Sequence, residues 1–400
     1  MDFLEMGIPT KPGFKCLEGE DRYEGGCQTI APAIAAVFVL LFSSALTGRT
    51  ARGDERIMQT QAIFSGLILE HEPGAAVLVV KDGGVVFERG YGVTDLRTRR
   101  RIDARTNFRL ASVSKQFTAA AVMLLVRDGR LCYEDRLTDI FTDFPGYGRA
   151  ITIRHLLNHT SGLPDYEDLM PPVEPSLSVD EVQIKDGGVL ELLKGRQSGK
   201  FAPGTKWAYS NSGYVLLGLI VEKASGRRFS AFLHDRIFAP LKMTATVAHE
   251  RGLDDVPDRA LGHTKDGGVW READQSPTSA TLGDGGVYSS LSDLLKWDEA
   301  LRRHTLLSEQ EMRPALEPVR VPAGTPTEPD GTPAAYGFGW FLNPWKGRSR
   351  MWHYGETSGF RTAIQRFTED RLTVVVLCNR TDLDAGSLAL EAAGFQFNVK

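Results

Sequence analysis

Segments with strand character lie at the two ends of the main part of this 400-residue chain, and the sequence between them has helical character. Residues 75–81 and 85–91 are β-rich, and the Asp-Gly-Gly between them supplies the positive φ of a tight hairpin. Near the other end, 360–367 and 372–379 return to strand character, the second with a fully apolar centre. The sequence therefore predicts an α/β (α+β) fold, in which one antiparallel sheet from N- and C-terminal segments is flanked by helices and carries an inserted all-helical lobe.

Helical periodicity sets the approximate limits of the two lobes. It predicts helices at 58–69, 114–127, 153–158, 186–194, 211–224, 229–235, 291–301 and 385–394. Within a domain at 58–395, we expect a sheet lobe at about 58–111 and 303–395 and a helical lobe at about 112–302. The segments 165–180 and 320–335 are rich in proline and acid, which predicts loops on the rim of a site.

The first 47 residues differ from the rest of the chain. Residues 1–29 are polar, and 30–46 are apolar without a charge, which defines a hydrophobic segment at 30–47. That run is short for a membrane span and long for a core helix, so a signal peptide, an uncleaved anchor with membrane association and a misassigned start are all open. We predict an exported protein (periplasmic, secreted or membrane-anchored), with a cytoplasmic location as the alternative. Cys16 and Cys27 could form a disulfide if this segment is exported.

The composition argues against two classes of partner. Lys and Arg total 47 and Asp and Glu total 51, a net charge of −4 without a dense basic run, so nucleic acid is not a predicted partner. The four cysteines lack the spacing of metal ligands, and no metal or other cofactor is predicted. Cys132 and Cys378 lie in apolar surroundings, which predicts buried thiols. The predicted partner is a small-molecule or peptide substrate, and the oligomeric state is open.

Ser112 and Lys115 are the residues most indicative of chemistry. They precede a run of good helix formers without glycine or proline, so both should lie at the start of a helix. Side chains three residues apart share a helix face, which places the Lys115 ammonium over the Ser112 hydroxyl. A lysine in a dry pocket can lose its proton and then activate a serine. The unpaired N–H groups of the helix start also face the place where an oxyanion would form.

Two further motifs follow Ser112-x-x-Lys115 in the sequence. They are Tyr209-Ser210-Asn211 and His353-Tyr354-Gly355, and each pattern occurs once. In this order, the three motifs resemble the boxes of the class C β-lactamase superfamily. That superfamily also contains D-alanyl-D-alanine carboxypeptidases, D-aminopeptidases and β-lactamase-like carboxylesterases. Other segments resemble it too: 159–164, 201–205, 214–218, 285–290 and 336–340.

The resemblance implies a role for each box residue. Ser112 would be the nucleophile, Lys115 its base, and Tyr209 the group that passes a proton to the leaving group. Asn211 would form hydrogen bonds with the substrate amide and with Lys115. His353 replaces the more common lysine of the third box, where it would stabilise the tyrosine oxygen and a substrate carboxylate; a pH dependence near neutrality would follow.

The third box departs from the family's pattern after the histidine. Gly355 would admit the substrate backbone to an edge strand, and the backbone N–H of Glu356 would be the second oxyanion donor beside that of Ser112. Relatives usually have small hydroxyl residues where Tyr354 and Glu356 stand, so we expect poor acylation by penicillins. His159 belongs to a segment that is a structural turn in the family, and we interpret it in that way.

These observations predict a metal-free serine acyl-hydrolase that forms an acyl-enzyme on a small amide or ester substrate, as a peptidase or carboxypeptidase does. Three alternatives stay open: a carboxylesterase, a β-lactamase, and a non-catalytic binding protein that keeps the fold. No Gly-x-Ser-x-Gly sequence occurs, which argues against an α/β-hydrolase triad.

Overall fold

The structure is a computed structural model that describes residues 42–172, 176, 178–322, 324, 327 and 333–397. The chain divides into two units, Met1–Thr50 and Ala51–Lys400. The predicted polar segment 1–29, the Cys16–Cys27 pair and residues 30–41 of the apolar run lie outside the described residues. Among the residues that are described, no helix is both long and apolar enough to cross a membrane.

Eleven α-helices occur in the described part of the chain. They are α1 (Phe42–Leu67), α2 (Lys115–Arg127), α3 (Leu137–Ile140), α4 (Ile153–Leu157), α5 (Val179–Val182), α6 (Asp186–Lys194), α7 (Asn211–Ser225), α8 (Phe229–Leu233), α9 (Leu291–Arg302), α10 (Glu309–Met312) and α11 (Ala385–Gln396). A 3-10 turn at Ala111–Ser114 runs directly into α2, and a π-helical turn at His234–Phe238 follows α8.

Ten strands are described as well. They are β1 (Ala75–Lys81), β2 (Gly84–Tyr91), β3 (Phe108–Arg109), β4 (Val247–Ala248), β5 (His263–Asp266), β6 (Val269–Glu272), β7 (Val287–Ser289), β8 (Met351–Thr357), β9 (Phe360–Phe367) and β10 (Leu372–Cys378). Five form an antiparallel sheet in the order β2-β1-β10-β9-β8. The prediction of one antiparallel sheet built from both ends of the sequence is confirmed.

The strands β1 and β10 are apolar except for Lys81 and Thr373, because both faces of the sheet centre are covered. They pair antiparallel from Ala75 opposite Cys378 to Lys81 opposite Leu372. On one face, Phe64 of α1 and Ala389 of α11 belong to a buried cluster that includes alternate residues of β1 and β10. The opposite face joins the larger core of the helical region. Residues that point to both faces are therefore apolar, unlike the alternation of a half-exposed strand.

The helical region is less separate from the sheet than the predicted lobe limits imply. Asp298 of α9 accepts hydrogen bonds from Arg366 Nε on β9 and Thr373 Oγ1 on β10, both at 2.7 Å. Since all three side chains are buried, α9 is fixed to the sheet although the predicted helical lobe included it. Two small sheets, β3-β7-β4 and β5-β6, also interrupt the helices. Strands of two to four residues are too short to show a period in the sequence.

The two described cysteines differ in burial. Cys378 is fully buried in β10, as predicted. Cys132 is half-buried, so the prediction of a buried thiol was wrong there. It lies at the start of a loop just beyond α2, where the polar neighbours Glu134 and Asp135 also approach the surface.

Candidate active site

Ser112 lies in the 3-10 turn that precedes α2, and not in the first α-helical turn. Ala111, the residue before it, has φ of +50°, in the left-handed region that disfavours a side chain. Strained backbone of this kind persists where the surrounding packing holds it, and it is common at functional sites. The turn leaves Ser112 half-exposed while its neighbours Ala111 and Val113 are buried.

Lys115 is completely buried and donates three hydrogen bonds from its Nζ atom. The acceptors are Ser112 Oγ at 3.0 Å, Asn211 Oδ1 at 2.9 Å and the backbone oxygen of Asp284 at 2.9 Å. Burial lowers the pKa of Lys115 to about 8, against the opposing effect of the carboxylates of Asp284, Asp165 and Glu167. A neutral amine is thus accessible near physiological pH, within hydrogen-bond distance of the serine hydroxyl.

Asn211 occupies its place because of a helix cap. Ser210 is the N-cap of α7, and its Oγ accepts the backbone N–H of Gly213 at 3.1 Å. This cap fixes Asn211 as the first helical residue, with its side chain directed at Lys115. The sequence motif therefore serves helix initiation and the site together.

Tyr209 is half-buried beside Lys115, and its phenolic oxygen is fully covered. The Lys115 Nζ atom lies 4.9 Å from the centre of the Tyr209 ring. Burial raises the pKa of the Tyr209 phenol well above its ordinary value, and the Ser112 hydroxyl only partly opposes this. Within the described part of the chain, the phenolic oxygen has no hydrogen bond of normal geometry. Tyr209 is therefore a protonated phenol at neutral pH, able to donate to a group that enters the site.

His159 supports Tyr209 from behind. Its ring centre lies 4.4 Å from that of Tyr209, and its Nδ1 accepts the backbone N–H of Ser210 at 3.1 Å. The residue has φ of +62°, and burial holds its pKa well below the ordinary range, so the ring is neutral. This geometry agrees with our interpretation of His159 as part of a structural turn.

His353 is buried and neutral. Burial, and then the Lys115 ammonium, lower its pKa to about 3. Its Nε2 lies 3.1 Å from the hydroxyl of Tyr336, and its Nδ1 lies 2.6 Å from the backbone oxygen of Tyr354. The imidazole faces the aromatic cluster around Tyr209, with ring centres 6.2 Å apart, so a pH dependence near neutrality is not expected from it. We had not singled out Tyr336, although it opens one of the family-like segments.

Gly355 allows close packing inside the protein. A Cβ atom added there would lie 2.2 Å from the backbone oxygen of Leu110 and 2.5 Å from Thr362 Oγ1. The space beside this glycine is thus filled by the segment that carries Ser112. Our expectation that Gly355 admits a substrate backbone needs this correction: on its side-chain face, it admits the turn that precedes Ser112.

The side chain of Glu356 points away from that face. Consecutive strand residues face opposite sides of a sheet, so Glu356 lies opposite to Gly355. Its side chain is 61% exposed and lies 3.8 Å from the Arg361 guanidinium across β8 and β9. A solvated and paired carboxylate exerts little repulsion on a ligand elsewhere, which removes the reason for expecting Glu356 to exclude penicillins.

The backbone of Glu356 has a different direction from its side chain. β8 is the edge strand, and the N–H and C=O of Trp352 pair with Phe341 on its outer side. Backbone groups alternate in direction along an antiparallel strand, so the N–H groups of Tyr354 and Glu356 point to this outer side too. The Glu356 N–H is thus directed away from β9 and is available to a ligand along the edge.

Two carboxylates beside the lysine were not singled out from the sequence. Glu167 Oε1 accepts a hydrogen bond from Asn211 Nδ2 at 3.4 Å, and Asp165 lies two residues earlier. Burial raises the pKa of each; Asp168 and Asp284 raise that of Asp165 further, and Asp165 and Asp284 raise that of Glu167. Both lie in the acidic segment predicted to form a rim loop, which was the available signal.

Known proteins resemble this chain in both sequence and fold. The sequence model of the β-lactamase family matches residues 60–395. The chain belongs to the β-lactamase family of serine hydrolases. It is 34% identical over 339 residues to a penicillin-binding protein of Bacillus subtilis, which covers 80% of this chain and 71% of that protein.

A D-aminopeptidase of Brucella ovis is 30% identical over 315 residues, which is 77% of this chain and 56% of that protein. The chain thus spans little more than half the length of that relative. Among solved structures, the octameric penicillin-binding protein homologue from Pyrococcus abyssi matches with a TM-score of 0.71 and 25% identity, over 87% of this chain and 77% of that chain.

In this β-lactamase-family protein, four of the predicted residues meet at one point: Ser112, Lys115, Tyr209 and Asn211. His353 lies next to this group, with its ring centre 6.2 Å from that of Tyr209. Gly355 packs against the turn that carries Ser112, and Glu356 directs only its backbone to the open edge. Their roles in catalysis are taken up next as proposals.

Proposed function

We propose that Ser112 is the nucleophile of an acyl-transfer hydrolase and that Lys115 is its base. The neutral Lys115 amine takes the Ser112 proton as Oγ attacks the substrate carbonyl. Tyr209 donates a proton to the leaving amine or alcohol, and water then cleaves the acyl-enzyme. The observation that carries this proposal is the buried Lys115 Nζ, 3.0 Å from Ser112 Oγ and with a pKa of about 8.

The oxyanion of the tetrahedral intermediate would be held by two backbone N–H groups, those of Ser112 and Glu356. The first belongs to the turn before α2, and the second points from the free edge of β8. A preorganised pair of donors stabilises charge that develops in the transition state.

We expect Glu356→Thr to change the rate of acylation by benzylpenicillin by less than about threefold, since the lost ion pair is a solvated surface pair. The matched variant is Glu356→Pro, which removes the backbone N–H and should reduce acylation about 100-fold or more. Acylation is followed by intact mass. An increase above tenfold in Glu356→Thr would mean that its carboxylate does reach the ligand.

We propose further that the preferred substrate is an amide whose acyl residue has a free amino group next to the scissile carbonyl. Glu167 is connected to Lys115 through the two ends of the Asn211 amide, so it lies beside the place of the bound carbonyl. Partial burial is the first cause of the raised pKa values of Asp165 and Glu167, and nearby carboxylates add to it, so an ammonium group beside them would favour their charged forms. The similarity to a D-aminopeptidase supports the D configuration of that residue.

The same carboxylates argue against a substrate with a carboxylate in this position. Like charges that are partly desolvated repel, so penicillins should acylate Ser112 slowly. Slow acylation by penicillins was also expected from the sequence, but we now attribute it to Asp165 and Glu167 in place of Glu356.

The test is a comparison of kcat/KM for D-alanine p-nitroanilide, its N-acetyl derivative and a neutral p-nitrophenyl ester. We expect the free amine to exceed the acetylated amide by at least about tenfold, the value of one desolvated charge pair. Glu167→Gln should reduce kcat/KM for the free amine by a similar factor and leave the ester within about twofold.

The control for Glu167→Gln is Asp168→Asn. Asp168 is exposed on the same turn and pairs with Lys200 at 3.4 Å, so its loss should alter neither substrate. Equal rates on the free and acetylated amides, or equal loss in Glu167→Gln on amide and ester, would contradict the proposed substrate class while leaving the acyl-transfer chemistry intact.

Export of the protein is part of the proposal as well. It rests on the apolar run 30–46 and on the similarity to a penicillin-binding protein. The similarity to the octameric Pyrococcus abyssi protein is the argument for an oligomer.

A further inference from the structure

A short loop supplies the third hydrogen-bond acceptor of Lys115. The backbone oxygen of Asp284 accepts from Nζ at 2.9 Å, and the loop that contains it joins Thr281 to β7. The other two acceptors, Ser112 and Asn211, are held by helix starts. The position of the loop therefore determines whether the Lys115 Nζ atom donates all three hydrogen bonds or only the two to Ser112 and Asn211.

Asp186 fixes this loop from the opposite side. Asp186 is the first residue of α6, directly after the N-cap residue Lys185. Its carboxylate reaches across to the backbone N–H groups of Leu282, at 3.1 and 3.2 Å, and Gly283, at 3.3 Å. These donors immediately precede the residue whose carbonyl receives the Lys115 hydrogen bond.

The loop is also clamped by two helices. Thr118 of α2 donates to the backbone oxygen of Gly283 at 2.6 Å. A Cβ atom added at Gly283 would lie 2.2 Å from the backbone oxygen of Tyr214, and one added at Gly218 would lie 3.2 Å from the Gly283 Cα atom. Since α7 carries Asn211 at its start, one rigid unit positions two of the three acceptors.

The environment of Asp186 is costly for a carboxylate. Burial and the neighbouring Asp284 raise its pKa to about 7, while the two backbone N–H groups oppose this. An apolar residue would avoid the charge but leave the N–H groups of Leu282 and Gly283 without this acceptor, so the hydrogen bonds to the loop are what offset the cost of the carboxylate.

We propose that Asp186 is a positioning residue for acylation, which holds the Asp284 carbonyl against Lys115 through the backbone of Leu282 and Gly283. Asp186 touches neither Ser112 nor a bound substrate, and it acts only on the geometry and dryness of the lysine. The inference rests on the proposed function, because it presupposes that Lys115 is the base for Ser112. When the loop withdraws, water reaches Lys115, and its pKa rises toward that of an ordinary lysine.

The experiment measures the second-order rate of labelling by a fluorophosphonate from pH 6 to 10, for the full chain and three variants. In this reaction, Ser112 Oγ forms a bond to phosphorus, fluoride leaves and Lys115 takes the serine proton. Asp186→Ala removes both acceptor oxygens, and Asp186→Asn keeps one of them. Glu191→Gln is the matched control, because Glu191 is an exposed carboxylate on the same helix that pairs with Lys194.

We expect the labelling rate at pH 8 to decrease about 10- to 100-fold in Asp186→Ala and less in Asp186→Asn, which is the range for misplacement of a catalytic group. The midpoint of the rise with pH should move upward by at least about half a unit in Asp186→Ala, and Glu191→Gln should match the unmodified protein. A lower melting temperature with an unchanged midpoint in both Asp186 variants would overturn the proposal. If Asp186→Ala does not fold, Asp186→Asn alone decides by the same criteria.

Failure of this inference differs from failure of the proposed function. The probe has no amino group and does not depend on the substrate class. If the unmodified protein is not labelled at Ser112, the proposed chemistry is wrong and the role of Asp186 falls with it. If Ser112 is labelled and the Asp186 variants behave like Glu191→Gln, only the positioning role is wrong.

Discussion

Replacement of Ser112 by alanine is expected to reduce hydrolysis about a million-fold, to the background rate, with almost no change in melting temperature. Ser112 is half-exposed, and its hydroxyl accepts a hydrogen bond from Lys115. Loss of this hydroxyl therefore removes the proposed nucleophile but few contacts that stabilise the fold. The measurements are kcat on D-alanine p-nitroanilide and on a neutral p-nitrophenyl ester, with thermal unfolding of the same samples. Retained ester hydrolysis would exclude Ser112 from the mechanism.

Ser114→Ala provides the matched control, since the two serines share one turn. Ser114 is buried, and its Oγ accepts the backbone N–H of Val287 at 3.1 Å. Its removal leaves a buried N–H unpaired, at a cost of about 1–3 kcal/mol in the free energy of unfolding. We expect the opposite outcome from that of Ser112→Ala: lower stability, with fluorophosphonate labelling of Ser112 retained.

Lys115→Met and Tyr209→Phe are each expected to reduce kcat about 1,000- to 10,000-fold, the range for a positioned proton-transfer group. The double variant should lose little more than the worse single variant, because the two residues pass one proton through one unit. Their contact, with Nζ 4.9 Å from the Tyr209 ring, is the structural reason. Losses that add fully on a logarithmic scale would mean that the residues act independently.

The pH profile gives a second readout of the same unit. Below pH 8 the Lys115 amine carries a proton and cannot act as a base, so the rate should rise with pH and level off above about 8. His353, with a pKa of about 3, should add no second limb between pH 5 and 8. Tyr209→Phe should leave the midpoint in place, while Lys115→Met should abolish the rise.

The central strands and the three motifs could be predicted from sequence because each rests on a local pattern. The limits of β1 and β9 were predicted correctly, since β1 is an apolar run bounded by turns and β9 is rich in aromatic and β-branched residues. Ser112 and Lys115 were recognised because residues three apart in the sequence lie close together on one face of a helix. The sequence pattern does not distinguish the 3-10 turn that contains Ser112 from the first turn of the α-helix, because helix ends are uncertain by one or two residues.

The orientation of the third motif could not be predicted in the same way. Whether Gly355 faces a substrate or the protein, and whether Glu356 faces the cleft or solvent, depends on the register of β8 against β9. A shift of one residue would exchange the two faces. The contact of Asp186 with the loop could not be predicted for a related reason. Its partners are the backbone N–H groups of Leu282 and Gly283, which lie almost a hundred residues away and carry no sequence signal.

The order of strands in the large sheet has a consequence for synthesis. β1 pairs with β2 at once, but its other neighbour is β10, whose residue Cys378 lies opposite Ala75. All of residues 82–371 must therefore be synthesised before the sheet centre closes, and contacts of such high sequence separation slow folding. Until then, the apolar edge of β1 stays open and prone to association. A nascent fragment that lacks β10 therefore lacks the strand that joins β1 to β9, and its sheet stays divided.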